Sequence, residues 1–390
     1  MRLRTVLAFA AIFLLSAGTG RAIQTGAISA LVQDHNSGLI LFEHNADQPL
    51  PPASLSKLMT LYMVFEALED GRLSLDEKLQ VSSAAKSKGG STMFLDTRDR
   101  PTVEDLIRGV VVLSGNDACV VLAEALSADG TEGGFARDMT ARARELGMTS
   151  TSLLNSTGLP EPDHLMSARD LVLLTTRLIN DFPEQYAYFA ETEFEFDGRA
   201  PANRFNRNPL LKNSVEGADG LKTGYTRDSG YGIAGSAIQD GSRVSFVLLG
   251  LDSSSARAQA AEKVVDWYRK QFRTVTPLAK GETVLEVPVW MGSQGTVGAT
   301  IDRDLRFPVP FASNERLTAN VTIEPYVEAP VTEGQKIGEL VLEVPGFDQA
   351  VSLPLRASSD VDRGGLVTAS IYRLKSLWQK YFPPALTPMQ

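Results

Sequence analysis

The chain has little of several residue types on which common active sites depend. It contains one cysteine and three histidines. The single thiol, Cys119, cannot form a disulfide within the chain, and we expect it to be a small buried apolar residue. A Ser-His-Asp triad would have to use His35, His44 or His164, and no Gly-x-Ser-x-Gly elbow is present. Without a His-Glu-x-x-His segment or a cysteine cluster, the sequence predicts neither a metal site nor a cofactor.

Positive charge is also in short supply. Lysine and arginine total 38 against 47 acidic residues, which gives a net charge of −9. An acidic chain has no electrostatic basis for binding nucleic acid, so nucleic-acid partners are excluded.

The N-terminal segment has the features of an export signal. Arg2 and Arg4 form a basic start, Val6–Leu15 is apolar, and Gly20-Arg21-Ala22 offers a small-x-small cleavage site. The apolar run is shorter than the roughly 20 residues that a membrane-spanning helix needs. We therefore predict a signal peptide over residues 1–22, removed after Ala22. Its three arginines leave with it, which makes the net charge −12.

The remaining chain predicts two domains and a final helix. Residues 23–273 combine hairpin patterns with amphipathic helical patterns, which predicts a mixed α/β domain. Short apolar runs broken by glycine and proline then fill residues 274–358, the pattern of a small all-β sandwich. In residues 359–390, Asp360 to Phe382 place apolar residues opposite basic ones. This amphipathic helix suits a membrane surface, and packing on the β domain is the alternative.

Three short motifs follow one another in the predicted α/β domain: Ser54-Leu55-Ser56-Lys57, Ser114-Gly115-Asn116 and Lys222-Thr223-Gly224. A serine and a lysine three residues apart lie on one face of a helix, so Ser54 Oγ and Lys57 Nζ are within reach of each other. Burial or a nearby cation would keep that lysine neutral, as a general base requires. The third motif lies on an expected edge strand, where its glycine lets a peptide approach the backbone.

With these motifs and their flanks, the chain resembles the low-molecular-mass penicillin-binding proteins of the serine D-alanyl-D-alanine carboxypeptidase family. The flanking segments that carry the resemblance are Pro52–Thr60, Leu106–Gly109, Ser114–Cys119, Ser167–Asp170, Asn206–Asn208 and Asp219–Gly224. The resemblance implies a penicillin-binding, β-lactamase-like catalytic fold. It also implies an exported enzyme on the periplasmic face of the inner membrane, peripherally anchored through its C-terminal helix.

The resemblance further implies roles for individual residues. Ser54 is the nucleophile and Lys57 the general base, while Ser114 and Asn116 assist proton transfer and substrate placement. The expected substrate-binding residues are Lys222, Thr223, Gly224, Tyr225, Arg207 and Arg257. Of these, Lys222 and Thr223 hold the substrate carboxylate, and the backbone N–H of Tyr225 joins that of Ser54 in an oxyanion hole.

The expected reaction is removal of the terminal D-alanine from peptidoglycan stem peptides, with β-lactam antibiotics as inhibitors. The alternatives are an endopeptidase of crosslinks, a β-lactamase that would use Glu161 to activate water, and a non-enzymatic wall-binding or penicillin-sensing protein. The chain departs from better-known relatives at two positions where they often carry histidine. Tyr225 follows the Lys-Thr-Gly motif and Thr157 precedes Gly158, and both changes bear on the rate of deacylation.

Overall fold

The computed structural model describes residues 13–16, 23–199, 204–311, 314–344 and 346–365. The chain divides between Gln271 and Phe272 into two compact units, and residues 13–16 group with the second. In the described residues, no helix is both long and apolar enough to cross a membrane.

The first unit is built on a five-stranded antiparallel sheet with the order β3-β2-β6-β5-β4. Its strands are β2 (Ser29–Asp34), β3 (Ile40–His44), β4 (Ala218–Thr226), β5 (Gly230–Gln239) and β6 (Ser242–Leu251). Both hairpins predicted from the turn patterns are therefore confirmed. Strand β4 lies at the edge, as expected, with the Lys-Thr-Gly motif in its middle rather than at its start.

Helices form the rest of this unit. They are α1 (Lys57–Glu69), α2 (Ser83–Ser87), α3 (Val103–Arg108), α4 (Asn116–Leu126), α5 (Glu132–Glu145), α6 (Ala168–Asp181), α7 (Pro183–Tyr186), α8 (Pro209–Lys212) and α9 (Ser254–Gln271). Helix α6 packs on β2 and β6, and α9 packs on β5 and β6. The hydrophobic core is centred on α1 and α4, and every apolar residue from Leu58 to Phe65 except Met63 is fully buried.

Local sequence explains where the helices near the motifs begin. A 3₁₀ turn, Ala53–Ser56, runs directly into α1, so that Lys57 is the first α-helical residue. Helix α3 begins at a capping box between Thr102 and Asp105. A π-helical turn, Gly109–Leu113, follows it and ends at the left-handed Ser114 (φ +61°). This turn separates α3 from α4 and places the Ser-Gly-Asn motif between them.

The second unit is all-β in its described residues. Its strands are β1 (Phe13–Ser16), β7 (Phe272–Leu278), β8 (Thr283–Trp290), β9 (Thr296–Thr300), β10 (Leu305–Pro310), β11 (Asn314–Ile323), β12 (Val327–Glu328), β13 (Lys336–Glu343) and β14 (Ala350–Ala357). Seven form a sheet with the order β1-β11-β13-β14-β9-β8-β12, and β10 pairs with β7. The predicted mixed α/β and all-β classes are confirmed. Strand β1 lies inside residues 1–22, whose removal stays a prediction.

The start of the expected C-terminal helix needs correction. Residues 360–365 are not helical, because Val361 bridges Val331 and Arg363 bridges Gly292. Val361 is fully buried, so this stretch completes the β unit rather than leaving it. The amphipathic pattern predicts a helix from Asp360 because the spacing of apolar residues carries no information about backbone pairing with distant strands. The rest of the expected helix, 366–390, lies outside the described residues.

Candidate active site

Ser54 lies on a strained turn that aims it at Lys57. Ala53 has a positive φ of 50°, which turns the chain sharply before the 3₁₀ turn that carries Ser54. Lys57 Nζ is 3.1 Å from Ser54 Oγ, and it also donates a hydrogen bond to the carbonyl of Thr157. Lys57 is fully buried. The expected serine–lysine contact is therefore present in the structure.

Burial, helped by the nearby charge of Arg207, lowers the pKa of Lys57 to about 8. Cys119, Glu132 and Asp117 act in the opposite direction. At about pH 7.4 an amine with this pKa is neutral in roughly a fifth of the molecules, and this neutral form can accept the Ser54 proton.

The loop before α6 forms one wall of the site and depends on a glycine. Asn155 Oδ1 accepts hydrogen bonds from Thr157 N–H (3.1 Å) and Gly158 N–H (2.7 Å), which folds the loop back on itself. Gly158 has φ +78°, and a Cβ there would lie 1.8 Å from Ala53 O. Only glycine lets this loop approach so closely the Ala53–Ser56 turn, which carries the candidate nucleophile Ser54 and is called the nucleophile turn below.

His164 supports the nucleophile turn from behind. Leu154 N–H donates to its Nδ1 (3.1 Å), so Nε2 carries the proton and donates to Ser56 Oγ at 2.7 Å. Ser56 Oγ in turn donates to Ala53 O (3.0 Å). Burial lowers the pKa of His164 to about 4, which keeps the ring neutral. The ring therefore holds the turn together through Ser56.

The Ser-Gly-Asn motif opens α4 beside Lys57. Ser114 and Asn116 are both buried, and Asn116 Nδ2 donates to Gly89 O (2.7 Å). Asp117 and Cys119, further along the same helix, are close enough to Lys57 to alter its pKa. Cys119 is buried as expected, and burial raises the pKa of its thiol to about 12.

Strand β4 passes directly against the nucleophile turn. A Cβ at Gly224 would lie 2.9 Å from Pro52 O and 3.3 Å from Ser54 N. Lys222 and Thr223, just before it, are buried. The Lys-Thr-Gly backbone is thus placed beside Ser54 on a strand edge that another extended chain can join.

Cations gather at the Lys222 end of the cleft. Burial, followed by the charge of Lys57 and then of Arg207, holds the pKa of Lys222 well below its usual range, and Arg257 acts in the same direction. Arg207 Nη1 donates to Ser91 Oγ (2.7 Å). Arg207 and Arg257, together with the two lysines when they are protonated, create a positive environment suited to a carboxylate.

Tyr225 occupies the surface at the mouth of the site. Its ring is 54% exposed and stacks on Tyr231, with ring centroids 4.2 Å apart. Arg257 lies over the other member of this pair, 5.6 Å from the Tyr231 ring. Tyr225 therefore presents an exposed aromatic surface directly after the Lys-Thr-Gly motif.

Beyond the nucleophile turn the cleft widens into a pocket of about 310 Å³. It is lined by Pro51, Pro52, Ala53, Gly158, Leu159, Pro160, Glu161, Pro162, His164, Thr226 and Asp228. Glu161 is an exposed lining residue, and the hydrogen bonds described for the loop do not orient it towards Ser54. Among the described residues, no group of histidine, cysteine and acidic side chains is arranged to hold a metal ion.

Two features that shape the site were missed in the sequence. The carbonyl of Thr157 contacts Lys57, yet a backbone oxygen leaves no sequence signal. Asp117 accepts hydrogen bonds from Met93 N–H (2.9 Å) and Leu95 N–H (3.0 Å), which fixes the segment facing Asn116. Its position directly after the Ser-Gly-Asn motif was the available signal.

Comparison with known proteins agrees with this geometry. The family model for D-alanyl-D-alanine carboxypeptidases matches residues 17–253, and that for the C-terminal domain of penicillin-binding protein 5 matches residues 272–363. The D-alanyl-D-alanine carboxypeptidase DacC of Escherichia coli is 36% identical over 89% of this chain and 87% of its own.

Solved structures give the same result. Penicillin-binding protein 5 from Haemophilus influenzae superposes with a TM-score of 0.77 at 32% identity, covering 87% of this chain and 99% of its own. Penicillin-binding protein D2 from Listeria monocytogenes, in its ampicillin-bound form, has a TM-score of 0.57 at 32% identity over 63% of this chain and 98% of its own. On this evidence the chain belongs to the D-alanyl-D-alanine carboxypeptidase family of penicillin-binding proteins.

Proposed function

We propose that this protein removes the terminal D-alanine from peptidoglycan stem peptides through an acyl-enzyme on Ser54. The observation that carries the proposal is a buried Lys57, with its pKa lowered to about 8, only 3.1 Å from Ser54 Oγ. A neutral amine at that distance accepts the hydroxyl proton as the oxygen attacks. The curated relatives that cover most of the chain are named for the same activity.

Substrate binding uses the edge of β4 and the cations at its Lys222 end. The stem peptide lies along the strand edge, which the close approach of Gly224 to the turn of Ser54 places beside the nucleophile. Its terminal carboxylate binds Lys222 and Thr223, with Arg207 and Arg257 adding positive charge. The scissile carbonyl then points at the N–H groups of Ser54 and Tyr225, which stabilise the developing oxyanion.

Acyl transfer proceeds in two steps. Ser54 Oγ bonds to the carbonyl carbon of the penultimate residue while its proton moves to Lys57 Nζ. The C–N bond then breaks, and the proton passes through Ser114 to the departing amine of D-alanine, with Asn116 holding the substrate. Water enters the space that D-alanine leaves, gives a proton to Lys57 and bonds to the ester carbon. The bond to Ser54 Oγ then breaks as Lys57 returns the proton to that oxygen.

β-Lactams enter the same pathway and stop within it. Their strained amide mimics the D-Ala-D-Ala bond, so Ser54 is acylated by the same atoms. The opened ring keeps its leaving group tethered, which blocks the approach of water. We therefore expect rapid turnover of the peptide and slow release of the drug, the reverse of a β-lactamase.

Labelling of Ser54 tests the proposal directly. A penicillin should add one drug mass to the intact protein, and the adduct should map to the peptide containing Ser54. Ser54→Ala should abolish labelling, whereas Ser83→Ala, at the exposed serine of a second Ser-x-x-Lys sequence that ends at Lys86, should still be labelled. Persistent labelling of Ser54→Ala would refute the assignment.

Turnover of the two substrates separates the alternative activities. Release of D-alanine from a pentapeptide and hydrolysis of penicillin should be measured on one preparation, together with Glu161→Ala. Fast penicillin hydrolysis that depends on Glu161 would indicate a β-lactamase. Cleavage of crosslinked dimers without release of D-alanine would indicate an endopeptidase, and an absence of turnover would indicate a sensor.

The location that fits this activity is the periplasmic face of the inner membrane. The basic and apolar N-terminal segment supports export, and the amphipathic pattern of Ile371, Leu374, Trp378 and Tyr381 supports peripheral attachment. The basic residues Arg373, Lys375 and Lys380 on the other side favour anionic lipid headgroups.

A further inference from the structure

One carboxylate, Glu132, connects the backbone segment that contacts Lys57 with the segment that contacts Asn116. It is the first residue of α5, and its side chain is 17% exposed. One of its oxygens accepts hydrogen bonds from Ser156 N–H (3.2 Å) and Ser156 Oγ–H (2.8 Å). The other forms an ion pair with Lys88. Glu132 thus contacts two segments that lie far apart in the sequence.

The residue that Glu132 binds through one oxygen, Ser156, directly precedes the residue that contacts the general base Lys57. Ser156 O accepts a hydrogen bond from Thr60 Oγ1 in α1 (2.7 Å), so the residue is held from two directions. The next carbonyl along the chain, Thr157 O, is the acceptor for Lys57 Nζ. The hydrogen bonds from Ser156 to Glu132 therefore fix the position of Thr157 O, the oxygen that orients the Lys57 amine.

The ion pair of Glu132 with Lys88 lies close in sequence to a contact of the Ser-Gly-Asn motif. Lys88 directly precedes Gly89, whose carbonyl accepts the hydrogen bond from Asn116 Nδ2 (2.7 Å). The Glu132–Lys88 pair is therefore one residue away from the contact that orients the Asn116 amide. Both partners of the pair are largely buried, which reduces screening of their charges by water.

We propose that Glu132 is a positioning residue for the Ser54–Lys57 pair: through Ser156 it holds the Thr157 carbonyl against Lys57, and through Lys88 it holds the segment whose Gly89 carbonyl binds Asn116. The inference rests on the proposed role of Lys57 as general base. Glu132 acts through Ser156 and Thr157 rather than on the reacting atoms.

The charges around Lys57 determine the direction of the effect. The groups that face it are Cys119 and Asp117 of α4, Lys222 of β4, Arg207, His164 and Glu132. Burial is the largest influence and lowers the pKa of Lys57, while Glu132 raises it. Neutralising Glu132 should lower the pKa further. Removing Lys88 leaves Glu132 unbalanced and should raise it.

The test is the pH profile of acylation by a fluorescent penicillin, measured with the full chain from about pH 5.5 to about 10. The rate should rise as Lys57 loses its proton, with a midpoint near its pKa of about 8. Glu132→Gln should move this midpoint to lower pH by roughly half a unit, the size expected for a nearby unit charge in a protein. Lys88→Met should move it to higher pH, and the double variant should lie close to the parent.

Glu145→Gln is the matched control, because it removes the same charge from the other end of α5, about 20 Å away along the helix. It should leave the midpoint unchanged. Glu132→Ala also removes the acceptor for Ser156, so it should lower the plateau rate as well as the midpoint. The ¹³Cε signal of Lys57, assigned by its absence in Lys57→Arg, should follow the same shifts.

Opposite shifts in the two single variants would not arise from structural damage alone. Midpoints that stay fixed, or that move in one direction for both variants, would overturn the inference. The proposed function fails separately, if the parent is not acylated at Ser54 or if its rate does not titrate with Lys57.

Discussion

Gly158→Ala tests whether the loop before α6 holds the nucleophile turn in place. The added Cβ would lie 1.8 Å from Ala53 O, about 1.6 Å short of the 3.4 Å at which ordinary contact begins. The new Cβ would meet backbone atoms of Ala53 and Ser54, so the contact cannot be relieved by the movement of a side chain. Either the loop or the Ser54 turn must shift by more than 1 Å, and Lys57 loses its alignment with Thr157 O or with Ser54 Oγ.

The expected result is a large loss of rate with a moderate loss of stability. A displacement of about 1 Å at a reacting centre costs roughly a hundredfold in rate, so acylation by a fluorescent penicillin should slow by at least about that factor. The positive φ adds about 1 kcal/mol of strain, and the displaced backbone adds to this.

A second glycine isolates the effect of the close contact. Gly71 also has a positive φ (+70°), but nothing lies within 4 Å of its Cβ position. Gly71→Ala should therefore lose about 1 kcal/mol of unfolding free energy and keep the parent acylation rate. If Gly158→Ala acylates within twofold of Gly71→Ala, the loop does not position the nucleophile.

Three further results are expected. Lys57→Arg should acylate roughly a thousandfold more slowly in rapid-mixing experiments, since arginine stays protonated, whereas Lys78→Arg at an exposed position should match the parent. Burial lowers the pKa of His164 to about 4, below the unfolded value of about 6.5, so the stability present above pH 6.5 should be lost as the pH falls towards 4, by about 3 kcal/mol at most. Urea unfolding of the parent should show this dependence of the unfolding free energy on pH. An equal dependence in His164→Gln would contradict it. Truncation after Gly365, which keeps the Val361 bridge, should leave a penicillin-binding chain that no longer floats with anionic liposomes, and equal flotation of both forms would place the tether elsewhere.

The sequence predicts the contact between Ser54 and Lys57 better than it predicts the residues that support this contact. Short-range geometry predicts that Ser54 and Lys57 meet, because three residues along a helix bring them to one face. The edge position of Lys222 follows from the hairpin pattern around it. These predictions succeed because each depends on local structure and on a motif that rarely occurs in this order by chance.

The supports depend on contacts that local patterns do not encode. His164 meets Ser56 across 108 residues, so its loop position gave no reason to expect it behind the nucleophile. Thr157 acts through its carbonyl, which every residue possesses. The predicted helix start at Asp360 was wrong because the bridge from Val361 to Val331 overrides the amphipathic pattern.

The crowding of cations beside Lys222 affects how the enzyme behaves in solution. Lys57, Arg207 and Arg257 all disfavour a further positive charge there, so an anion that enters relieves mutual repulsion. Sulfate and phosphate are anions and will therefore compete with the carboxylate of a peptide substrate for this place. A peptide that ends in a neutral amide brings no negative charge and will not relieve the repulsion. Rates measured in sulfate, phosphate and zwitterionic buffers should therefore differ at equal ionic strength, and buffer composition becomes a variable of the reaction itself.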